Sequence, residues 1–250
     1  MPLIETESLV IKSYGLAEAD RIVVLLTREH GMIRGVAKGA KRLKSKFGSG
    51  LEPFSVVKVE YFEKETSELV NLQKVEIVKS NFAAASNPDF LQKFSYLGDI
   101  LVTFSPPHDP NETLYRMVRA CVETATIDPD SLQGIGVYFE LWLLRLSGFL
   151  PDWSKCDNCG RNFNLDEDSL LKTDFNLSCF DCNRSRNGKV LKATEREIAV
   201  SARRLSPMDF AKSTSDRGEI LVDLSKKMKQ LISQSIGREV NGETSLAISI

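Results

Sequence analysis

Two cysteine pairs carry the clearest chemistry in the chain. Cys156-Asp157-Asn158-Cys159 and Cys179-Phe180-Asp181-Cys182 are CxxC knuckles joined by a polar spacer. Two such knuckles roughly 15–20 residues apart are the sequence form of a four-thiolate zinc site. Zinc takes a tetrahedron of soft ligands, and each knuckle offers two thiolates while the chain turns tightly between them. Gly160 follows the first knuckle, where a tight turn favours a residue that tolerates positive φ. Four protein thiolates leave no open position for a substrate, so the expected metal is structural. The alternatives are a pair of disulfides, four unrelated thiols, or a redox CxxC, which normally stands alone at a strand-to-helix junction.

A second stretch could bind rather than react. Between Arg34 and Gly48 the chain carries Arg34, Lys38, Lys41, Arg42, Lys44 and Lys46 and no acid. Gly35, Gly39, Gly48 and Gly50 let the backbone approach a ligand closely. A mobile basic loop of this kind can track a phosphate backbone, and Phe47 within it is an expected stacking partner for a base. The alternative is a solvated charged loop. Nothing resembles a recognition helix, so sequence-independent binding is the expectation.

Catalytic constellations are poorly supported. The chain has only two histidines, His30 and His108, which argues against a histidine base or a histidine-rich catalytic metal site. Asp166, Glu167 and Asp168 read as a solvated turn rather than a carboxylate cluster. The expectation is that the protein is not an enzyme.

These residues need elements to hold them. Ser8–Lys12 reads as a strand broken at Tyr14-Gly15, with Ala17–Asp20 as a turn. Arg21–Thr27 follows as a strand buried on both faces, then a turn at Glu29-His30-Gly31 and a return strand Met32–Ala37. Ser55–Phe62 and Leu69–Val78 form a further hairpin across Glu63–Glu68, with Val57, Val59 and Tyr61 alternating against Lys58, Glu60 and Phe62. Short strands in this number and spacing suggest a small closed barrel, with the OB-fold the obvious candidate and a ligand-free barrel or sandwich the alternative.

From Asn81 the period becomes helical. Phe90, Phe94, Leu97, Leu101 and Phe104 make one stripe, ended by Pro106-Pro107. Asp109-Pro110-Asn111-Glu112 reads as a helix start with Asp109 as N-cap, and Leu114, Met117, Val118, Cys121 and Val122 line the next buried face. Ile135–Leu146 is apolar nearly all round, which marks a central helix. Beyond the knuckles, Thr194-Glu195-Arg196-Glu197 reads as a capping box for a helix running toward Leu205 and stopped by Pro207. Ile220–Ile236 is the last helix, and the tail from Gly237 is polar. The fold class expected is α+β. An OB barrel spans residues 1–80, and an α-helical domain spans 81–250 with a four-cysteine zinc module inserted at 153–186.

The 250 residues carry a formal net charge of −1, so nucleic-acid binding must rest on a local patch. No apolar run approaches the ~18 residues of a membrane span. The N-terminus has acids where a secretory signal has bases, and thiols gathered into a zinc pattern suit a reducing cytoplasm.

With these pieces assembled, the sequence resembles the RecO family of bacterial recombination mediators. The resemblance rests on Arg21–Thr27, Glu29-His30-Gly31, Ala37-Lys38-Gly39-Ala40-Lys41-Arg42 and Leu51-Glu52-Pro53-Phe54. It rests equally on Phe139–Pro151, followed directly by Cys156-Asp157-Asn158-Cys159-Gly160. It implies an OB-fold that binds single- and double-stranded DNA and a helical domain with a zinc module. It also implies strand annealing, action on strands coated by the single-strand binding protein SSB, pairing with RecR and loading of RecA in the RecF pathway of gap repair and recombination. A cytoplasmic, nucleoid-associated location goes with that role. Carried over residue by residue, DNA contact falls on Lys38, Lys41 and Arg42, with Arg34, Lys44 and Lys46 as neighbours. The zinc ligands are Cys156, Cys159, Cys179 and Cys182. Arg116, Arg119 and Arg145 are candidates for the acidic tail of SSB. Two rival functions remain: a zinc-stabilised scaffold whose barrel binds protein, and a nuclease or ligase carrying an OB module.

Overall fold

The structure is a computed structural model that describes residues 2–63, 67–184 and 188–237. The chain divides into two compact units, Met1–Ile127 and Asp128–Ile250. The change from strand to helix near residue 81 therefore falls inside the first unit.

That unit begins with five strands: β1 (Leu3–Leu16), β2 (Asp20–Thr27), β3 (Met32–Ala37), β4 (Val56–Phe62) and β5 (Leu69–Lys79). They close into a barrel in the order β1-β2-β3-β5-β4, with β3 and β5 parallel and the other pairs antiparallel. This is the OB-fold arrangement of a small Greek-key barrel. Closure depends on the length of β1. Its first half pairs with β4, Leu3 opposite Phe62, and its second half with β2, Tyr14 opposite Ile22. A bulge between Val10 and Lys12 bends the strand from one partner to the other. Tyr14-Gly15 therefore does not break the strand, contrary to expectation, because β2 supplies backbone partners as far as Leu16. Val10, Val23, Leu25, Ile33, Val57, Val59 and Tyr61 fill the interior. Gly31 turns β2 into β3 with φ of 67°, as its position requires. Residues 64–66 of the expected β4–β5 turn lie outside the described residues.

Three helices complete the unit: α1 (Phe82–Ala85), α2 (Pro88–Phe104) and α3 (Glu112–Ile127). Asn87 caps α2 by accepting from Asp89 N at 2.9 Å, with Pro88 in the first turn. The α2 stripe packs Phe90 and Phe94 against Phe54, with ring centroids 5.7 and 5.4 Å away. Asn111, not Asp109, caps α3: its side chain accepts from Leu114 N at 2.9 Å. The start signal was legible but sat two residues too early. Tyr115 and Arg119 of α3 both bind the Glu7 carboxylate of β1, at 2.9 and 2.6 Å, and so tie the helix to the barrel wall.

The second unit is built on α4 (Leu132–Leu146), whose buried face includes Ile135, Phe139, Leu141 and Leu144. A small sheet follows, β6 (Ser169–Leu171) between β7 (Leu177–Ser178) and β8 (Lys189–Leu191), then α5 (Ala193–Ser201), α6 (Pro207–Ser213) and α7 (Gly218–Ile236). Leu221, Leu224, Met228, Leu231 and Ile232 of α7 are buried, the face its periodicity predicts. Two boundaries differ from expectation. The box that opens α5 lies two residues earlier: Lys192 N donates to the Glu195 carboxylate at 2.9 Å. Pro207 starts a helix instead of stopping one, because Ser206 accepts from Asp209 N at 3.2 Å and proline suits the first turn. Among the described residues no helix is long and apolar enough to cross a membrane. The tail expected beyond Gly237 lies outside the described residues.

Candidate nucleic-acid interface and metal centre

The basic stretch leaves β3 and returns to β4 as a chain of turns. Arg42 N donates to Gly39 O at 3.1 Å, Ser45 N to Arg42 O at 3.0 Å, and Gly50 N to Phe47 O at 3.0 Å. The segment is held at both ends and in the middle. Gly39 N donates to the Asp20 carboxylate at 2.7 Å, and Lys41 N to Ala19 O at 2.9 Å. Phe47 and Leu51 insert into the barrel core, each 3% exposed. Phe47 is therefore not available to stack on a base. The segment could not otherwise cover the barrel's apolar interior, and Phe47 is the side chain that covers it. A freely mobile loop is likewise not what the structure shows.

The cations remain outside. Lys38, Lys41, Arg42, Lys44 and Lys46 are exposed, and Arg34 is half-buried on β3. None of these forms an ion pair with an acid among the described residues. Lys41 Nζ instead donates to the Ala17 carbonyl at 2.8 Å, and Lys46 Nζ lies 5.1 Å from the Phe47 ring centroid. Cations elsewhere differ. Lys58 meets Glu5 at 2.5 Å, Lys74 meets Glu76 at 2.5 Å, and Arg119 meets Glu7 at 2.6 Å. The same segment presents Leu43, which is fully exposed. One neighbour escaped the sequence reading altogether: Tyr14, taken for part of a strand break, is a half-buried residue on β1.

In the second unit the four cysteines converge. The Sγ atoms of Cys156, Cys159, Cys179 and Cys182 all lie within 4.8 Å of one another. A tetrahedral zinc with Zn–S near 2.3 Å needs S···S of about 3.8 Å, so the cluster fits after a small contraction. Each knuckle closes by the same turn, Gly160 N to Cys156 O at 2.9 Å and Asn183 N to Cys179 O at 3.1 Å. Gly160 adopts φ of 73° there. Cys156 and Cys179 are buried, while Cys159 and Cys182 are exposed. Burial opposes ionisation of Cys156, yet backbone N–H groups of Cys159 and Cys179 outweigh it and bring the thiol down to about 6. Hydrogen bonds with the Cys179 and Cys159 side chains push the Cys182 thiol up to about 12.

The module is fastened by polar contacts. Arg161 donates to Glu167 at 2.8 Å, Lys172 to Asp157 at 2.7 Å, and Trp153 Nε1 to Phe175 O at 2.9 Å. Arg196 of α5 lies 4.7 Å from the Phe163 ring centroid and donates to the carbonyls of Asn164 and Glu167. Asp168 accepts from Ala193 N at 2.8 Å at the start of α5. Glu167 and Asp168 are thus structural partners, whereas the sequence suggested only a solvated turn.

The three arginines considered for an acidic partner fare differently. Arg119 is held by Glu7 and Glu123. Arg116 is exposed. Arg145 borders a cavity of about 200 Å³ with Leu150, Pro151, Trp153 and Arg203, and its Nη1 is buried without a hydrogen-bond partner among the described residues.

Comparison with known proteins places these features. Residues 1–81 match the model for the family described as Recombination protein O N terminal, and residues 94–242 match Recombination protein O C terminal. The chain belongs to the RecO family. Proteins named DNA repair protein RecO are similar to it. The one from Koribacter versatilis is 33% identical over 160 residues, covering 64% of this chain and 65% of that protein. Those from Anaeromyxobacter sp. (strain K) and Bifidobacterium longum (strain DJO10A) are 28% and 32% identical, covering 63% and 67% of their own lengths. The chain thus spans just under two thirds of the first two relatives' length. The two matches cover the barrel and most of the helical part of the chain, in that order.

Proposed function

We propose that the chain is a DNA repair and recombination mediator whose barrel binds single- and double-stranded DNA without regard to sequence and anneals complementary strands. One observation carries the reading. Arg34, Lys38, Lys41, Arg42, Lys44 and Lys46 gather along β3 and the segment after it, with no acid paired to them among the described residues, in a chain whose formal net charge is −1. Annealing brings two polyanions together and needs no catalytic group. Lysine and arginine lower the repulsion by displacing condensed counterions. Binding should therefore tolerate any sequence and weaken steeply with salt.

The metal of the second unit is zinc on this reading, held by Cys156, Cys159, Cys179 and Cys182. Four thiolates saturate it, so it stabilises a module with little apolar core of its own and takes no part in DNA binding. Membership in the family supports RecR, SSB and RecA as partners, with action on SSB-coated single strands in the cytoplasm at the nucleoid. Arg145, whose Nη1 is buried without a hydrogen-bond partner among the described residues, is the candidate of the three for the acidic tail of SSB, in a cavity that Arg203 and Asp152 also line. The organisation that follows is a DNA-binding barrel over residues 1–80 and a helical, zinc-bearing part over 81–250.

Polarisation titration of labelled single-stranded DNA at two salt concentrations tests the central claim. Steep, salt-dependent binding that falls on charge reversal at Lys38, Lys41 and Arg42 is expected. A flat response at both concentrations would favour the scaffold reading instead.

A further inference from the structure

We propose that Tyr14 is a base-stacking residue of this DNA-binding face, with Ile22 and Val36 beside it as an apolar floor. The inference rests on the DNA-binding reading above and deepens it by naming the part of the nucleotide recognised away from the phosphates.

The barrel's register carries the argument. Tyr14 pairs with Ile22 across β1 and β2, and Ile22 pairs with Val36 across β2 and β3. Directly paired residues share a face. None of these side chains belongs to the interior cluster, which takes Val23 and Ala37 from the neighbouring positions. Tyr14, Ile22 and Val36 therefore form a row on the outer surface, and all are half-buried. Arg34, one row away and paired with Val24, lies on that same surface.

The basic segment is attached beside this row. Lys41 Nζ lies so close to Gly15 that a Cβ there would sit 2.8 Å from it, and the same amine binds Ala17 O. A cation of the phosphate-binding set thus stands against Gly15, the residue that follows Tyr14. Phe47, Phe54 and Tyr61 are buried, whereas Tyr14 keeps part of its surface exposed.

The ordinary alternative is a tyrosine that merely caps the barrel wall. Its hydroxyl argues against that. A tyrosine packed for structure usually finds a hydrogen-bond partner for its O–H. The Tyr14 hydroxyl is shielded from water and has no partner among the described residues. Burial pushes its pKa up, and the positive charge of Arg34 opposes that shift. The surface that Tyr14 presents to solvent therefore excludes the oxygen. Exposed aromatic surface among unpaired cations is what a single strand requires: charge for the backbone and a π-face for the base.

Stacking and counterion release respond to different experiments. The test titrates labelled oligothymidylate, and an abasic oligonucleotide of equal length and charge, into the full chain and its Tyr14→Ala, Tyr14→Phe and Tyr14→Trp variants. Tyr14→Ala should bind oligothymidylate roughly 5- to 150-fold more weakly, the range for one lost base stack. Its salt slope and its binding to the abasic strand should match the parent chain. Tyr14→Phe should restore binding, and Tyr14→Trp should add fluorescence quenching beyond that of Trp142 and Trp153. Equal affinity of Tyr14→Ala and the parent for oligothymidylate overturns the proposal and leaves the cationic site standing. Equal losses on both strands overturn it too, since the residue would then only position the cations. If Tyr14→Ala does not fold, absence of added quenching in Tyr14→Trp decides against stacking. If the parent binds no oligonucleotide at either salt concentration, the DNA-binding reading itself falls.

Discussion

Replacing Lys38, Lys41 and Arg42 together with glutamine removes three charges from the exposed segment while keeping side chains of similar length. Each phosphate contact on a single strand adds about 0.7 to the slope of log K against log salt. If all six cations of the segment touch phosphate, the parent slope is about −4, and the triple variant retains about −2. Taking the two proteins as equal near 1 M salt, the variant binds about 50-fold more weakly at about 0.15 M and about 500-fold more weakly at about 0.05 M. The gap between the proteins should therefore narrow as salt rises. A simple loss of folded protein would give a constant ratio instead. Lys41 also gives up its 2.8 Å bond to Ala17 O, but that bond is exposed, and the backbone bonds of Gly39 and Lys41 still hold the segment. Circular dichroism and metal content should stay at parent values. Polarisation titration across a salt series supplies the measurement. An unchanged slope in a folded variant would refute the assignment of these residues to phosphate contact.

Other outcomes test the remaining structure. Cys179→Ser should lower bound zinc, read by elemental analysis, and lower the melting temperature, with DNA affinity falling only as the fold is lost; a folded, zinc-free variant that no longer binds DNA would give the cysteines a direct role. Phe47→Ala should cost about 3–5 kcal/mol of stability in denaturant titration, the usual loss for a buried phenylalanine, whereas a merely stacking residue would leave stability unchanged. Asn111→Ala should cost about 1 kcal/mol by removing the cap of α3, and Asp109→Ala should be nearly silent; the reverse ranking would restore Asp109 as the cap.

How much of this was legible depended on the range of the interaction involved. The cysteine cluster is written in local spacing, because each knuckle is a single turn, and only the meeting of the two knuckles needs the fold. β2, β3 and the buried face of α7 follow from composition and period. The failures share a cause. Tyr14-Gly15 looks like a break when read alone, but β2 lies alongside and supplies hydrogen bonds as far as Leu16. Phe47 looks like a ligand residue inside a basic run, but the barrel end needs an apolar cover, and the nearest large side chain provides it. Pro207 is equally compatible with stopping or starting a helix, and the Ser206 bond to Asp209 N decides. The cap of α3 lies two residues beyond Asp109 because Asn111 also carries an acceptor for the first turn, and α5 opens two residues before Thr194 because Glu195 reaches back to Lys192 N. In each case local propensity was ambiguous and a contact made elsewhere resolved it.

The near-neutral chain is itself part of the argument for annealing. A formal net charge of −1 gives little long-range attraction for a polyanion. At physiological salt the Debye length is only about 8 Å, so attraction must come from the cations actually in reach of a strand. Many of the acids that balance the chain are ion-paired elsewhere, as with Glu5 on Lys58, Glu7 on Arg119 and Glu167 on Arg161. They neutralise the bulk of the molecule and leave the segment after β3 uncompensated. On the DNA-binding reading proposed above, such a protein would grip DNA through a short-range patch. Once the two strands have paired, a rival for the bases replaces any stack on the protein, and the phosphate contacts alone must hold. Grip on a paired product should therefore be weaker than grip on the single strand by the stacking contribution, which gives an annealing protein a reason to let go.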